Sequence, residues 1–209
     1  MSHSKITKNM LINAAILGMF AIIGTAVVAF TFQTTHLRVD ENKRNYTLKQ
    51  LHQLIHPEQH NNDLDRDILL VKDSLLSADQ SMKIYRARKD GKPVAAIIEC
   101  IAPDGYSGKV RLLVAVMHDG TLAGVRATEH METPGLGDAI DTQKSDWILQ
   151  FNHKSLHNPD LKNWKVKRDG GAFDQITSAT ITSRAVVKAT RNALEYFKQH
   201  KDEIFKPAS

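Results

Sequence analysis

An α+β fold is predicted for this chain: an N-terminal transmembrane helix followed by an antiparallel sheet flanked by helices. Three observations carry the prediction. Residues 10–32 are an almost unbroken apolar run. Four segments between residues 84 and 128 are rich in Val, Ile, Leu and Ala and are separated by Asp-Gly dipeptides, the pattern of hairpin-linked strands. The last part of the chain, from about Ser183 to Phe205, repeats its apolar residues at helical spacing.

The apolar run is long enough to cross a bilayer core, which takes about 20 residues, and it holds no ionisable group. A cleaved signal peptide is the rival, with Val27-Val28-Ala29 as a small-residue cleavage site. Its apolar part, however, exceeds the ~7–15 residues of a signal core, so an uncleaved anchor is expected. Lys5 and Lys8 precede the span while Arg38, Lys43 and Arg44 follow it, so charge balance does not choose an orientation. A short head before a first span stays in the cytoplasm, which puts residues after about His36 on the far side. The expected organisation is a cytoplasmic N-terminus at 1–9, an anchor at 10–32, a membrane-proximal helical region at 33–80 and a folded domain at 81–209.

With 209 residues, 42% hydrophobic and 24% charged, the chain can hold one sizeable domain and an appendage. The net charge of +5 is scattered rather than striped, and two Trp and four Tyr supply few stacking rings. Nucleic-acid binding is set aside on both counts. Cys100 has no cysteine partner within the chain, so no internal disulfide forms.

Residues 47–77 read as helical. Leu51, Leu54 and Ile55 make an apolar stripe, and Leu64, Ile68, Leu69, Val71, Leu75 and Leu76 continue it after a polar break. His52, His56 and His60 share i, i+4, i+8 spacing, a pattern that lines up imidazoles for a metal. Pro57 interrupts that helix, so a solvated face is the reading taken, and His153 with His157 is read the same way. No metal site is expected.

The strands are expected at 84–88, 94–101, 110–117 and 122–128, joined at Asp90-Gly91, Asp104-Gly105 and Asp119-Gly120. A meander of this kind must cover a face, and the amphipathic segments on either side in sequence can do so. Between strands, Gly105-Tyr106-Ser107-Gly108 is by itself an ordinary hairpin loop. In His130-Met131-Glu132-Thr133-Pro134-Gly135-Leu136-Gly137-Asp138, Pro134-Gly135 suits the centre of a type II turn. The glycines around Leu136 leave backbone amides and one aliphatic side chain facing the same space, as a flat amphipathic ring requires. Trp147 and Phe151, at i and i+4, are read as core. Lys165 and Lys167 are placed on a strand before the turn Asp169-Gly170-Gly171. In the closing helix Val186, Val187, Ala189, Thr190, Ala193, Leu194, Tyr196 and Phe197 form the buried side, with Arg191, Lys198 and Lys201 facing away.

Ahead of that helix, Thr177, Ser178, Thr180, Thr182 and Ser183 put five hydroxyls within seven positions. Such side chains cap orphan backbone N–H groups. The same N–H groups, with the helix dipole behind them, favour a phosphate. Spacing alone favours the cap.

Asp174-Gln175-Ile176-Thr177-Ser178-Ala179-Thr180 resembles the Asp-x-x-Ser/Thr-Gly-Ala-Thr flavinylation motif of covalent FMN-binding domains. The flanking runs from Val166 to Phe173 and from Arg184 to Val187, the loop at 130–138 and the N-terminal span resemble the G subunit of the bacterial Rnf electron-transport complex, called Rsx in some bacteria. The resemblance implies that residues 81–209 are an FMN-binding domain and that a flavin transferase moves FMN from FAD onto Thr180 as a phosphodiester. Asp174 would serve recognition or activation, with Thr177, Ser178 and Ala179 beside the acceptor. It further implies that Glu132, Thr133, Leu136 and Gly137 line the isoalloxazine, with Tyr106 and Ser107 as further contacts. A lysine near N1 of the ring, Lys165 or Lys167, would stabilise reduced anionic states. The family usually has Gly where this chain has Ser178, and a positive φ there would strain a serine.

The function so implied is that of an inner-membrane flavoprotein, anchored by one span with its domain in the periplasm. It would relay electrons within a redox-driven translocase that couples electron transfer to ion movement, without catalysis of its own. Its partners would be the other membrane and iron–sulfur subunits of that complex. Gly-x-Ser-x-Gly, His-Glu-x-x-His and Cys-x-x-Cys-His are missing from the sequence, which suits a carrier. The competing reading is a membrane-tethered binding or scaffold module without cofactor, whose hydroxyls only cap a helix.

Overall fold

The computed structural model describes residues 3–206, and their side chains from residue 10 onward apart from 37, 39–41 and 43. Lys5, Lys8 and Lys43, which bear on orientation, thus lie outside the described side chains. The chain divides into two units, Met1–Thr47 and Leu48–Ser209.

The first unit is helical throughout its described length. Helix α1 runs without interruption from His3 to Leu54, and its stretch Met10–His36 is apolar enough to cross a membrane, with a mean hydropathy of 2.3. Thr25, Thr31, Thr34 and Thr35 return their hydroxyls to carbonyls one turn earlier. That removes the cost of a bare donor in an apolar medium.

The second unit is built on a five-stranded antiparallel meander in the order β1-β2-β3-β4-β5. The strands are β1 (Ile68–Val71), β2 (Met82–Lys89), β3 (Lys92–Gly105), β4 (Gly108–Met117) and β5 (Leu122–Glu129). The four strands expected from the sequence are present and longer than predicted. The turn between β2 and β3 is Asp90-Gly91, both with positive φ, as a tight hairpin requires. The turn between β3 and β4 is Tyr106-Ser107, because β3 runs through Asp104 to Gly105, which pairs with Gly108.

A larger expectation is also corrected. Residues 47–77 are not one helical region: α1 ends at Leu54, a 3-10 turn follows at Pro57–Gln59, and Ile68–Val71 pairs with β2 as the edge strand β1. A run of four apolar residues fits either period, and the open edge of β2 decides. Because α1 ends before His56, the three histidines never share a helix face. The rings of His52 and His60 stack on each other, 5.8 Å apart.

Both faces of the sheet are covered, and the alternation in the strands follows. On one face Ile84, Ile98, Cys100, Leu112, Val114 and Val116 pack against helix α2 (Thr180–Ile204). On the other, Tyr85, Ala87, Ile97, Leu113 and Ala115 pack against Leu51, Leu54, Ile55 and Leu64. Each fully buried aliphatic side chain contributes about 1.5–3 kcal/mol, and burial on two faces explains why β3 and β4 read as nearly continuous apolar runs. Phe151, Trp164 and Phe173 stack at one end of the α2 side, with centroids 4.7–6.4 Å apart.

Candidate functional site

Helix α2 starts at Thr180, one turn earlier than its apolar period predicts. Its N-cap is Ala179, which has no side chain able to cap, so the cap reading of the hydroxyl cluster does not hold. Two of the five hydroxyls are committed elsewhere. Ser183 Oγ accepts the Ile176 N–H at 3.0 Å and donates to the Ala179 carbonyl at 2.9 Å, closing the loop onto the helix it precedes. Thr182 is fully buried, donates to Glu132 Oε2 at 2.8 Å and accepts the Tyr106 N–H at 3.3 Å. Thr177 and Ser178 are exposed, and Thr180 is half-buried. Among the described residues, the N–H groups of Thr180, Ile181 and Thr182 make no hydrogen bond.

Glu132 is the strut of the site. Buried at 6% exposure, it joins three segments: Oε1 accepts the Ser107 N–H of the β3–β4 turn at 3.1 Å, and Oε2 accepts the hydroxyl of Thr182. Its own N–H donates to His130 Nδ1 at 3.3 Å. Two glycines make room for the carboxylate. A Cβ on Gly137 would lie 2.3 Å from Glu132 Oε2, and one on Gly105 would lie 3.0 Å from Oε1 and 2.3 Å from the Gly108 carbonyl. Pro134 and Gly135 form a turn closed by the Leu136 N–H on the Thr133 carbonyl, with Gly135 at φ 78° as a type II turn demands.

The segments that this strut joins carry four exposed apolar side chains: Tyr106, Met131, Leu136 and Ile181. Met131 directly precedes Glu132, and each of the other three adjoins in sequence a residue that the Glu132 side chain touches. Thr133 is exposed beside them, while Gly137 and Ala179 are buried. These segments therefore present exposed apolar side chains, a hydroxyl at Thr180 and three unbonded amides at the positive end of a helix. That set fits a group with an anionic phosphate and a flat aromatic ring.

Asp174 is held by its backbone. Its N–H donates to Gln150 Oε1 at 2.7 Å, and its carbonyl accepts Trp147 Nε1 at 2.7 Å and Gln150 Nε2 at 3.3 Å. Its exposed carboxylate pairs with Lys167 Nζ at 2.7 Å. The strand expected at Lys165 and Lys167 does not form; Lys167 instead opens a 3-10 turn, Lys167–Asp169, beside an isolated parallel bridge between Val166 and Phe173. Gly171 lets this bridge close, since a Cβ there would meet the Lys165 carbonyl at 2.0 Å. At the same corner Arg184 binds Asp169 through two hydrogen bonds of 2.6 and 2.7 Å, which hold the Asp169 carboxyl below its usual range. Ser178 carries no strain: among the described residues only Asp90 and His153 are non-glycine residues with positive φ.

Sequence reasoning singles out Glu132, as an expected ring neighbour, and its buried partner Thr182 only as a member of a cluster. Gln150, which clamps Asp174, gives no signal, since a lone glutamine in an irregular segment has none to give.

Residues 105–195, which contain every segment of the site, match the family model of the FMN-binding domain. Residues 1–54 match the RnfG N-terminal region. The chain is 43% identical over 192 residues to the G subunit of the ion-translocating oxidoreductase complex of Vibrio cholerae serotype O1 (strain M66-2), covering 92% of each chain. It is 47% identical over 198 residues to the G subunit of the same complex from Shewanella baltica (strain OS223), covering 94% of this chain and 93% of that relative. A solved structure, that of Shewanella oneidensis NqrC, is similar at 23% identity, with 72% of this chain and 70% of that one covered and a TM-score of 0.49. The chain belongs to the family of G subunits of ion-translocating oxidoreductase complexes.

Proposed function

We propose that this protein carries FMN covalently on Thr180 and relays electrons within an Rnf/Rsx-type complex of the bacterial inner membrane. The observation that carries the reading is the start of α2: a hydroxyl and three unbonded amides meet there, inside the matched FMN-binding domain. FMN, when bound, supplies one- and two-electron transfer, and the protein's part is to hold and tune it.

The chain's own groups divide that work. Thr180 Oγ1 would accept the FMN phosphoryl group from FAD in the flavin transferase: its O–P bond would form as the pyrophosphate bond to AMP breaks, with AMP leaving and the hydroxyl proton lost. The amides of Thr180, Ile181 and Thr182, with the α2 dipole, stabilise the phosphate charge. Thr177, Ser178 and Ala179 shape the approach to the acceptor, and Asp174, steadied by Lys167 and Gln150, is the recognition carboxylate. Glu132 fixes the loops from which Tyr106, Ser107, Thr133, Leu136 and Gly137 would meet the ring, and the exposed apolar side chains of those loops would exclude water from it.

The covalent link suits a domain in the periplasm. Where free FMN is dilute, a reversible site empties by mass action, and an ester removes that dependence. The span at Met10–His36 would keep the domain beside the membrane and iron–sulfur subunits of the complex, on an electron path between ferredoxin and NAD coupled to ion movement.

The test is a denaturing gel of protein co-expressed with the flavin transferase, viewed under ultraviolet light. A fluorescent band in the parent that falls to background in Thr180→Ala supports the reading. A dark parent band overturns it and leaves the cofactor-free scaffold.

A further inference from the structure

The other end of α2 carries a second feature that the flavin reading does not use. A cavity of about 200 Å³ opens between the β4–β5 turn, the segment at 155–157 and the last turns of α2. Its floor is apolar, made by Leu156, Leu194 and Phe197, the last two almost fully buried. Its rim holds Lys198, Lys201, His118 and His157. The one acid at the rim, Asp119, is already engaged: its Oδ1 accepts both the N–H and the hydroxyl of Thr121, at 2.9 and 2.6 Å. Among the described residues neither Lys198 nor Lys201 has an ion-pair partner, whereas Lys109, Lys167 and Lys188 each have one.

Two lysines one turn apart on a helix repel each other, and the cavity beside them opens to water over the half-buried Leu156. One ligand relieves both: a chain segment carrying a carboxylate between the lysines and an aliphatic or aromatic side chain over the floor. A free phosphate would use the rim alone. At 1.5 Å per residue Lys198 lies about 27 Å along α2 from Thr180, so this is a separate surface and not part of the flavin site.

We infer that this cavity docks an acidic segment of another subunit of the complex, with Lys198 and Lys201 taking its carboxylates and Leu156, Leu194 and Phe197 its apolar side chain. The inference rests on membership of a multi-subunit family and stands whether or not Thr180 carries flavin.

The test uses the intact complex purified through a tag on this chain. Carbodiimide treatment followed by peptide mapping is expected to find an amide joining Lys198 or Lys201 to an Asp or Glu of a different subunit, absent from K198Q/K201Q. Charge reversal, K198E/K201E, is expected to lower co-purification of the other subunits at least tenfold, while flavin fluorescence per chain stays at the parent's level. Three results overturn the docking: no inter-subunit amide at either lysine with co-purification within twofold of the parent, an amide to a second copy of this chain, or loss of a bound phospholipid as the only consequence of charge reversal. If K198E/K201E does not accumulate, the amide in the parent complex decides alone. A dark parent gel band would remove the flavin reading and leave both docking readouts intact.

Discussion

The two ends of α2 are finished in opposite ways. At the C-terminal end the backbone is closed. Arg86 Nη1 donates to the carbonyls of Ile204 and Lys206 at 3.3 and 2.9 Å, and Arg88 Nη2 to that of Phe205 at 3.2 Å. Both arginines are held by Asp67, and the guanidinium of Arg88 lies over the Phe205 ring. At the N-terminal end no side chain caps the helix and three amides are unbonded. Helix ends leave the same kind of orphan groups at both termini, so the difference is a choice the fold has made. The closed end anchors the helix to β2, and the open end is what the anchoring makes available.

The largest effect on stability is expected at the closed end. The side chains of Arg86 and Asp67 are 6% and 21% exposed, and removing one partner of a buried pair costs about 3–5 kcal/mol. Arg86→Ala should therefore lower the stability of the full chain by about that much in a denaturant titration. Flavin fluorescence per folded chain should be unchanged. If loading fell as sharply as stability, the two ends would not be independent.

At the open end, Glu132→Ala should act on both properties. It strands the Ser107 N–H and the Thr182 hydroxyl, and an unsatisfied buried group costs about 1–3 kcal/mol. Flavin fluorescence per chain should fall several-fold as the loops around Thr180 lose their strut. Glu132→Gln, which keeps one acceptor, should lose about 1 kcal/mol and retain most of the signal.

A smaller effect sharpens the contrast. Ser178 is exposed and has no positive φ, so Ser178→Gly should shift stability by no more than about 0.5 kcal/mol. Intact-mass measurement should find flavin occupancy equal to the parent's.

The middle of α2 should show the least change of all. Cys100 lies beneath Ala189, fully buried, and burial pushes its thiol from 9.0 up to about 12. Native protein should not react with iodoacetamide at pH 8, and unfolded protein should. The sign follows from linkage. Below pH 9.0 the thiol is neutral in both states; above it the unfolded thiol ionises first, so stability falls from there up to about pH 12.

How much of this is legible in the sequence varies by element. The segment at 10–32 is legible as an unbroken apolar run of bilayer length, and the four long strands and the buried side of α2 because each is a long run whose pattern burial enforces. Ile68–Val71 is not: four apolar residues carry no period, and the pairing with β2 that makes them a strand is a long-range fact. The start of α2 escapes the pattern for a related reason. Thr180 and Thr182 are polar, so the apolar period begins only after the helix has turned once.

Within the site, local residue order specifies the chemistry at hand: a hydroxyl cluster before a long helix, a Pro-Gly turn between small residues, and a threonine in a segment that matches the FMN-binding domain. These are local properties of short segments, which neighbouring residues specify. That Ser183 and Thr182 are spent internally while Thr180 is left beside unbonded amides follows from three-dimensional packing alone. The same holds for the buried carboxylate of Glu132, which ties segments 25 and 50 residues away. Hydrogen-bond partners that far apart are chosen by how the sheet brings its loops to one edge, and no local pattern encodes that choice.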